Sequence, residues 1–417
     1  MVDYATLDQD RARDYALNCD IDELDVSNYH LFGNDVHWPF FERLRRDDPV
    51  HYHEDSRDGP YWSITRHEHI KEIDSDHHRF SSQDNISITD QPDDFQMPMF
   101  IAMDRPKHDE QRKVVSPVLG PGNLAAMETL IRSRVGDILD ALPIGETFNW
   151  VERVSIELTT QMLATLFDFP FDERQRLTRW SDIASVGVRS GLVSSQEEAQ
   201  KELMECLDCF SRLFEERADP GHEGIDLLTM LAQDAKTRSM PPMELLGNVM
   251  LLIIGGNDTT RNSITGGVLG LNQFPEEYDK LRADHEWIPN MVPEIIRWQT
   301  PLAHMRRTAL VDVEFHGKQI NRGDKVVMWY VSGNRDEDVF DNPNRLIIDR
   351  QNARVHVSFG FGLHRCMGNR LAEMQLRILW QEITKRFHMV EVVGKPVRIM
   401  SNFVRGYAEL PVEVHPL

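Results

Sequence analysis

The stretch FGFGLHRCMGN, residues 359–369, decides the fold of this chain. It places Cys366 between glycine-flanked turns and an amphipathic segment over residues 368–386. A cysteine just before a helix ionises more easily, because the helix dipole and free backbone N–H groups favour the thiolate. Small, aromatic and cationic residues surround it: Phe359, Gly360, Gly362, His364, Arg365 and Gly368. The pattern predicts a thiolate that binds iron beside a flat macrocycle, and the alternative is a buried structural cysteine.

The composition is that of an acidic globular protein. The 417 residues are 41% hydrophobic and carry a net charge of −22, which argues against nucleic acid as a partner. The sequence has no run of 18 apolar residues and begins with a polar segment, so we expect no membrane anchor and a cytoplasmic location. Since no linker is visible, we expect a single domain over residues 1–417, with residues 1–34 as an irregular N-terminal extension.

Helical periodicity dominates the middle of the chain. It runs from about residue 106 to residue 298, and a further helix follows Cys366. Alternating segments at 50–66 and 307–331 predict short strands joined by glycine turns. Residues 80–103 read as a long loop, and loops of that length are usually functional. The fold class predicted is mainly α with small β-sheets.

A second informative stretch is NVMLLIIGGNDTTRNSITGGVLGLNQF, residues 248–274. It is an almost wholly apolar helix with Gly255-Gly256, Asp258 and Thr259 at its centre. Paired glycines and hydroxyls destabilise a helix interior, so they need a reason. The glycines admit a ligand close to the backbone, and an acid beside an alcohol suits proton relay. A packing kink with a back-bonded threonine is the alternative.

The order Phe359, Gly362, His364, Cys366, Gly368 resembles the haem-ligating signature of the cytochrome P-450 family, and GGNDT resembles its oxygen-activating helix. The resemblance covers about residues 35–417. It implies the cytochrome P-450 fold, with haem b (iron protoporphyrin IX) between the long helix and the helix after the cysteine loop. It also implies that Cys366 binds the iron, next to Phe359, His364 and Gly368, and that Asp258 and Thr259 supply protons to dioxygen.

Two further sets of residues match family positions. Glu294-x-x-Arg297 and Arg345 match a structural Glu–Arg–Arg triad that locks the fold around the cysteine loop. Cations that match the positions binding the haem carboxylates are His108, Arg112, Arg307 and His356. Arg306 competes with Arg307 for this role, and Arg105 replaces a proline of the family pattern.

More narrowly, MFIAMDRPKHDEQRK (99–113) and TPLAHMRRTA (300–309) look like the bacterial alkane and fatty-acid terminal hydroxylases of the family. This likeness implies a small apolar substrate of medium chain length, dioxygen, and electrons from a ferredoxin and its ferredoxin reductase. The expected substrate wall comprises Ile86, Met97, Met99, Phe100, Leu251, Leu252, Gly255, Leu302, His304, Phe403 and Val404.

Other functions remain open at this stage. They are a hydroxylase of a terpenoid or aromatic substrate, a peroxide-driven enzyme of the same fold, and a non-enzymatic haem sensor. The Asp258-Thr259 pair argues against the peroxide-driven enzyme, which needs no proton relay to dioxygen.

Overall fold

Helices form most of the protein. The structure is a computed structural model that describes residues 2–83, 85–219 and 221–417. Within them the α-helices are α1 Gln9–Asn18, α2 Tyr29–Gly33, α3 Trp38–Asp47, α4 His67–Ser75, α5 Lys107–Val115, α6 Pro121–Asp140, α7 Glu157–Phe167, α8 Gln175–Val186, α9 Gln196–Arg217, α10 Leu227–Gln233, α11 Pro242–Gln273, α12 Pro275–Ala283, α13 Ile288–Gln299, α14 Tyr330–Gly333 and α15 Asn369–Arg386. The predicted mainly α fold is confirmed.

The strands are short and form small sheets. They are β1 Val50–His53, β2 Tyr61–Ile64, β3 Phe80–Ser81, β4 Phe148–Asn149, β5 Met305–Ala309, β6 Val313–Phe315, β7 Lys318–Ile320, β8 Lys325–Met328, β9 Phe387–Val392, β10 Val397–Arg398, β11 Tyr407–Glu409 and β12 Pro411–Pro416. The main sheet has the order β1-β2-β8-β5-β3, and only β2 and β8 in it pair in parallel. A smaller sheet has the order β4-β12-β9, and β6-β7 and β10-β11 pair separately. The predicted turn at Asp58-Gly59 joins β1 to β2, with Gly59 at φ 77°.

Helix α11 lies at the centre of the largest hydrophobic cluster. It contacts α7, α8, α9, α13 and α15, and most of its side chains are buried. Some of its polar side chains form hydrogen bonds with neighbouring elements. Asn248 donates to Oε1 of Gln111 at 2.9 Å, and Oδ1 of Asn257 accepts from the Thr159 hydroxyl at 2.7 Å. These hydrogen bonds satisfy polar groups that would otherwise be costly to bury, so the polar side chains of a mainly apolar helix can lie in the core.

The prediction that residues 1–34 are irregular is wrong. Helix α1 begins at an N-cap, Asp8, whose side chain accepts from the Arg11 backbone N–H at 2.9 Å. Ala12 and Ala16 are fully buried in a second hydrophobic cluster and face α3. Helix α1 packs through these two alanines, which are four residues apart. Because alanine is only weakly hydrophobic, a hydrophobicity pattern does not mark this helix clearly.

Candidate active site

A cavity of about 850 Å³ lies between α11, the loop 80–103 and the cysteine stretch 359–369. Nine of the predicted substrate-wall residues line it: Ile86, Met97, Met99, Phe100, Leu251, Leu252, Gly255, Leu302 and Phe403. A Cβ on Gly255 would meet nothing within 4 Å, so this glycine leaves open space against the α11 backbone. Gly256 instead faces α7, where a Cβ would lie 2.8 Å from Leu163.

Two residues predicted for this wall are not part of it. Val404 is fully buried and forms an isolated β-bridge with Leu302. The His304 ring is also fully buried: Nε2 accepts from the Ile88 backbone N–H at 3.0 Å, so Nδ1 donates to the Asn402 carbonyl at 3.0 Å. His304 therefore orients the loop 80–103 from behind, and its burial lowers its pKa to about 3.

The loop 80–103 is held against α11 by its backbone. A Cβ on Gly247 would lie 2.1 Å from the Pro98 carbonyl oxygen, so only glycine allows this close approach. The Phe100 backbone N–H donates to Oδ1 of Asn248 at 2.8 Å. Both contacts fix Met97, Met99 and Phe100 in the wall.

The cysteine stretch is anchored to α4. The Asp74 carboxylate accepts from the Phe361 backbone N–H at 2.7 Å and from the Tyr330 hydroxyl at 2.8 Å. Gly362 has φ +62°, and a Cβ there would lie 2.6 Å from the Asp74 carbonyl oxygen. Packing on α4 and the backbone conformation therefore both require a glycine here.

Cys366 faces the cavity just before α15. Its own N–H donates to the Phe359 carbonyl at 2.8 Å, which closes the turn. Burial raises the pKa of the Cys366 thiol, while the N–H groups of Gly368 and Asn369 and the charge of Arg112 lower it. A thiol with these donors is prepared to become a thiolate when a metal ion replaces its proton.

Of the side chains predicted to hold the edge of the cofactor, three line the same cavity as Cys366: Arg112, Arg307 and His364. Arg112 donates to the Arg365 carbonyl, and Arg307 forms a buried ion pair with Asp74 at 2.5 Å. Within the described residues, Nδ1 of His364 has no hydrogen-bond partner. The structure therefore brings together donors that an anionic ligand edge would need.

The two remaining predicted cations lie behind this wall. His108 is buried, with its Nδ1 2.8 Å from Asp109 and its ring 4.2 Å from that of His364. His356 is also buried, and its ring lies 5.2 Å from the Phe359 ring. Their predicted contact with a cofactor remains a prediction, since neither residue reaches the cavity surface in this structure.

Thr259 and Asp258 lie on different faces of α11. Thr259 lines the cavity and donates to the Gly255 carbonyl at 2.9 Å. Asp258 is fully buried and faces α8, where it accepts from Ser181 at 3.0 Å and Ser185 at 2.7 Å. Arg261 lies 3.0 Å from the same carboxylate. The predicted relay pair is thus adjacent in sequence, but only its alcohol faces the cavity.

Glu294 sits at the centre of a fully buried ion cluster. Arg297 donates to both its carboxylate oxygens at 2.7 and 2.8 Å, and Nε of Arg350 lies 3.0 Å from each of them. The prediction that Arg345 completes this triad is wrong. Its side chain is about half exposed and pairs with Glu276, and only its backbone carbonyl reaches Arg297.

Several site residues were not found from the sequence. They are Asp74 and Tyr330 under the cysteine stretch, Arg350 in the Glu294 cluster, and Ser181, Ser185 and Arg261 around Asp258. Of these residues, only Arg350 could have been suggested by the sequence. It lies five residues after Arg345, the arginine that was predicted to pair with Glu294.

The residues present fit a flat, thiolate-held group with anionic edges. The fit rests on the Cys366 sulfur in the wall, the unpartnered His364 nitrogen beside Arg112, and the open space at Gly255. The fold and this cavity define a class, the helical proteins that hold haem iron through a cysteine thiolate.

Comparison with known proteins identifies the family. The cytochrome P450 family model matches residues 188–409. The chain is 36% identical to linalool 8-monooxygenase of Pseudomonas putida, covering 94% of this chain and 99% of the relative. The chain therefore belongs to the cytochrome P450 family, and it is a monooxygenase with a haem-iron cofactor.

Two other relatives resemble the chain over nearly its whole length. It is 29% identical to the methyl-branched lipid omega-hydroxylase of Mycobacterium tuberculosis, over 94% of both chains. The solved structure of CYP153D17 from Sphingomonas sp. PAMC 26605 superposes with a TM-score of 0.89 at 47% identity, covering 95% of this chain and 100% of that one. The predicted resemblance to the bacterial terminal hydroxylases is confirmed. Among the described residues, no helix has the length and apolar character needed to cross a membrane.

Proposed function

We propose that this monooxygenase hydroxylates the terminal methyl of a medium-chain aliphatic substrate, an alkane or a fatty acid. The observation that carries the proposal is the cavity, whose wall combines Cys366 and Thr259 with aliphatic and thioether side chains from the loop 80–103 and α11. Such a wall offers an alkyl chain burial without polar partners. The omega-hydroxylase among the relatives supports the same regiochemistry.

In this proposal the Cys366 thiolate would hold haem b, and Arg112, Arg307 and His364 would hold its carboxylates. The bound cofactor supplies oxygen activation and inserts one oxygen atom into a C–H bond. The chain supplies the ligand, the substrate pose and the protons. Thr259 holds a hydroxyl at the cavity surface, and Asp258 is the nearest acid along α11, held on the side of α8.

Ferredoxin and its reductase are the electron donors in this proposal. A net charge of −22 repels an acidic protein partner, so docking needs a local cationic surface. Arg365 and Arg370 are exposed on either side of Cys366, and Arg354, also exposed, lies 3.1 Å from Glu373. We also propose a cytoplasmic location, since all four cysteines are free.

A terpenoid is the second candidate substrate. The relative named linalool 8-monooxygenase favours it, with 36% identity over 407 residues.

The test uses purified holoenzyme with reduced ferredoxin, and decane, decanoate and linalool as substrates. We expect the carbon monoxide adduct of the ferrous protein to show the red-shifted thiolate band. We further expect the products of decane and decanoate to carry the inserted oxygen at the terminal carbon. Cys366→Ser should abolish the band and the product but keep the far-UV circular dichroism. A Ser variant that retains the band would refute the ligand assignment, and turnover of linalool alone would refute the linear substrate.

A further inference from the structure

Two arginines meet over one tyrosine where the cavity reaches the surface. The guanidinium carbon of Arg57 lies 4.8 Å from the Tyr29 ring centroid, and that of Arg189 lies 4.7 Å from it. All three residues line the cavity that contains Cys366, and both arginines are exposed. We call Tyr29, Arg57 and Arg189 the mouth cluster.

The mouth cluster joins three separate parts of the fold. Tyr29 is the first residue of α2, Arg57 lies in the turn between β1 and β2, and Arg189 lies in the 3-10 turn Gly187–Ser190 after α8. Since these segments are far apart in sequence, the convergence of two cations is a property of the tertiary structure. Cation–π contact with the ring stabilises each arginine, but it does not remove the repulsion between their charges.

The electrostatic surroundings leave this positive charge poorly compensated. Within the described residues, neither guanidinium forms an ion pair or a hydrogen bond. Burial lowers the pKa of Arg189, and the charge of Arg57 lowers it further, while Asp58 acts in the opposite direction. Among the residues that the structure describes, Asp90 is the other acid that lines this cavity, and it pairs with Arg306 and Lys325.

We propose that the mouth cluster binds the carboxylate of a fatty-acid substrate, whose alkyl chain then runs through the cavity towards Cys366. This inference rests on the proposed function and narrows its substrate class from aliphatic chains in general to carboxylic acids. Guanidinium groups present paired N–H donors that match a carboxylate, and the Tyr29 hydroxyl is a further donor.

The arrangement also accounts for terminal oxidation. A carboxylate held at the exposed end avoids burial of a charge in the apolar part of the cavity, where Phe95, Met97 and Leu251 offer only contact surface. With the head group fixed there, the opposite end of the chain is the part that would reach the inner cavity beside Gly255 and Thr259. An alkane or a primary alcohol has no anionic group with which to satisfy the two arginines.

The test compares head groups on one chain length. Decanoate and 1-decanol are titrated into the ferric holoenzyme, with binding followed by the Soret shift and by calorimetry, for wild type, Arg57→Gln, Arg189→Gln and Tyr29→Phe. We expect wild type to prefer decanoate, and each arginine variant to reduce the ratio of the decanol to the decanoate Kd by about tenfold, as loss of one charge-assisted contact implies. Tyr29→Phe should reduce it less, because the ring that holds the arginines is kept.

Arg282→Gln is the matched control. Its guanidinium stacks on Tyr278 at 5.2 Å, outside the cavity wall, so the ratio should equal that of wild type. If wild type binds and hydroxylates decanol and decane as well as decanoate, and the arginine variants do not alter the ratio, the inference is overturned while the proposed function stands. If the variants lower only the melting temperature, the mouth cluster is a structural clasp and the inference is again overturned. If no linear chain is bound, the proposed function fails and the inference fails with it.

Discussion

Replacement of Arg350 by alanine should destabilise the protein far more than replacement of Arg345. The Arg350 side chain is 4% exposed, and its Nε lies 3.0 Å from both oxygens of Glu294, which is itself fully buried. Its Nη1 also donates to the Asp341 carbonyl at 2.6 Å. The Arg345 guanidinium is 47% exposed and pairs with Glu276, which is 52% exposed.

The different burial of the two arginines determines how much free energy of unfolding each substitution costs. Removal of one partner from a buried ion pair costs about 3–5 kcal/mol in free energy of unfolding. In Arg350→Ala, Arg297 still holds Glu294 through two hydrogen bonds. We therefore expect this substitution to reduce the free energy of unfolding by about 3 kcal/mol, the lower end of that range. Exposed pairs contribute about 0–1 kcal/mol, so Arg345→Ala should cost less than 1 kcal/mol.

The assay is urea unfolding of holoenzyme, followed in parallel by far-UV circular dichroism and Soret absorbance. Two probes are needed because a bound cofactor breaks two-state behaviour, and a difference between variants is safer than an absolute free energy. Arg350→Lys serves as a partial rescue, since it keeps the charge but loses the planar fork. Equal losses of stability in Arg350→Ala and Arg345→Ala would refute the assignment of Arg350 to the Glu294 cluster.

Two other predictions concern protons. Thr259→Ala removes the cavity-facing hydroxyl, so reductant consumption should continue while more of it yields hydrogen peroxide and less yields product; unchanged coupling would leave Thr259 as a packing residue. Burial lowers the pKa of His304 from 6.5 to about 3 on folding, so its contribution to stability is complete above about pH 6.5 and is lost as the pH falls towards 3. Between pH 7 and pH 5 the urea midpoint of His304→Gln should therefore change less than that of wild type or of the exposed control His388→Gln; parallel slopes in all three would contradict this assignment.

Local sequence patterns were sufficient to predict the elements that position the candidate active site. The apolar helix predicted from residues 248–274 is part of α11, Pro242–Gln273, and the predicted helix after Cys366 is α15, Asn369–Arg386. The first is a long apolar run and the second is an amphipathic segment, and each of these signals is encoded within one segment. The cysteine stretch was equally visible, because its spacing of ring, glycine and thiol is local.

The direction in which a side chain points could not be predicted from local sequence patterns. Arg345 and Arg350 lie in one short loop with similar neighbours, and the path of that loop against α13 decides which guanidinium turns inward. Asp258 and Thr259 are consecutive on a helix, so they point about 100° apart, and only the position of α8 tells which one is covered. Partners such as Asp74 come from segments nearly 300 residues away from the cysteine stretch.

The contacts of Asp258 hold its carboxylate on the side of α11 that faces α8. In this structure its carboxylate is held by Ser181 and Ser185 of α8 and by Arg261, which also donates to Asp182 at 2.8 Å. Ser185 and Val186, at the end of α8, line the cavity as well. An acid with these three partners, of which Ser181 and Arg261 are buried, does not leave them readily, because the ion pair with Arg261 would be broken in a medium of low dielectric constant. The arrangement therefore keeps the Asp258 carboxylate on the α8 side of α11, while the Thr259 hydroxyl lies in the cavity wall.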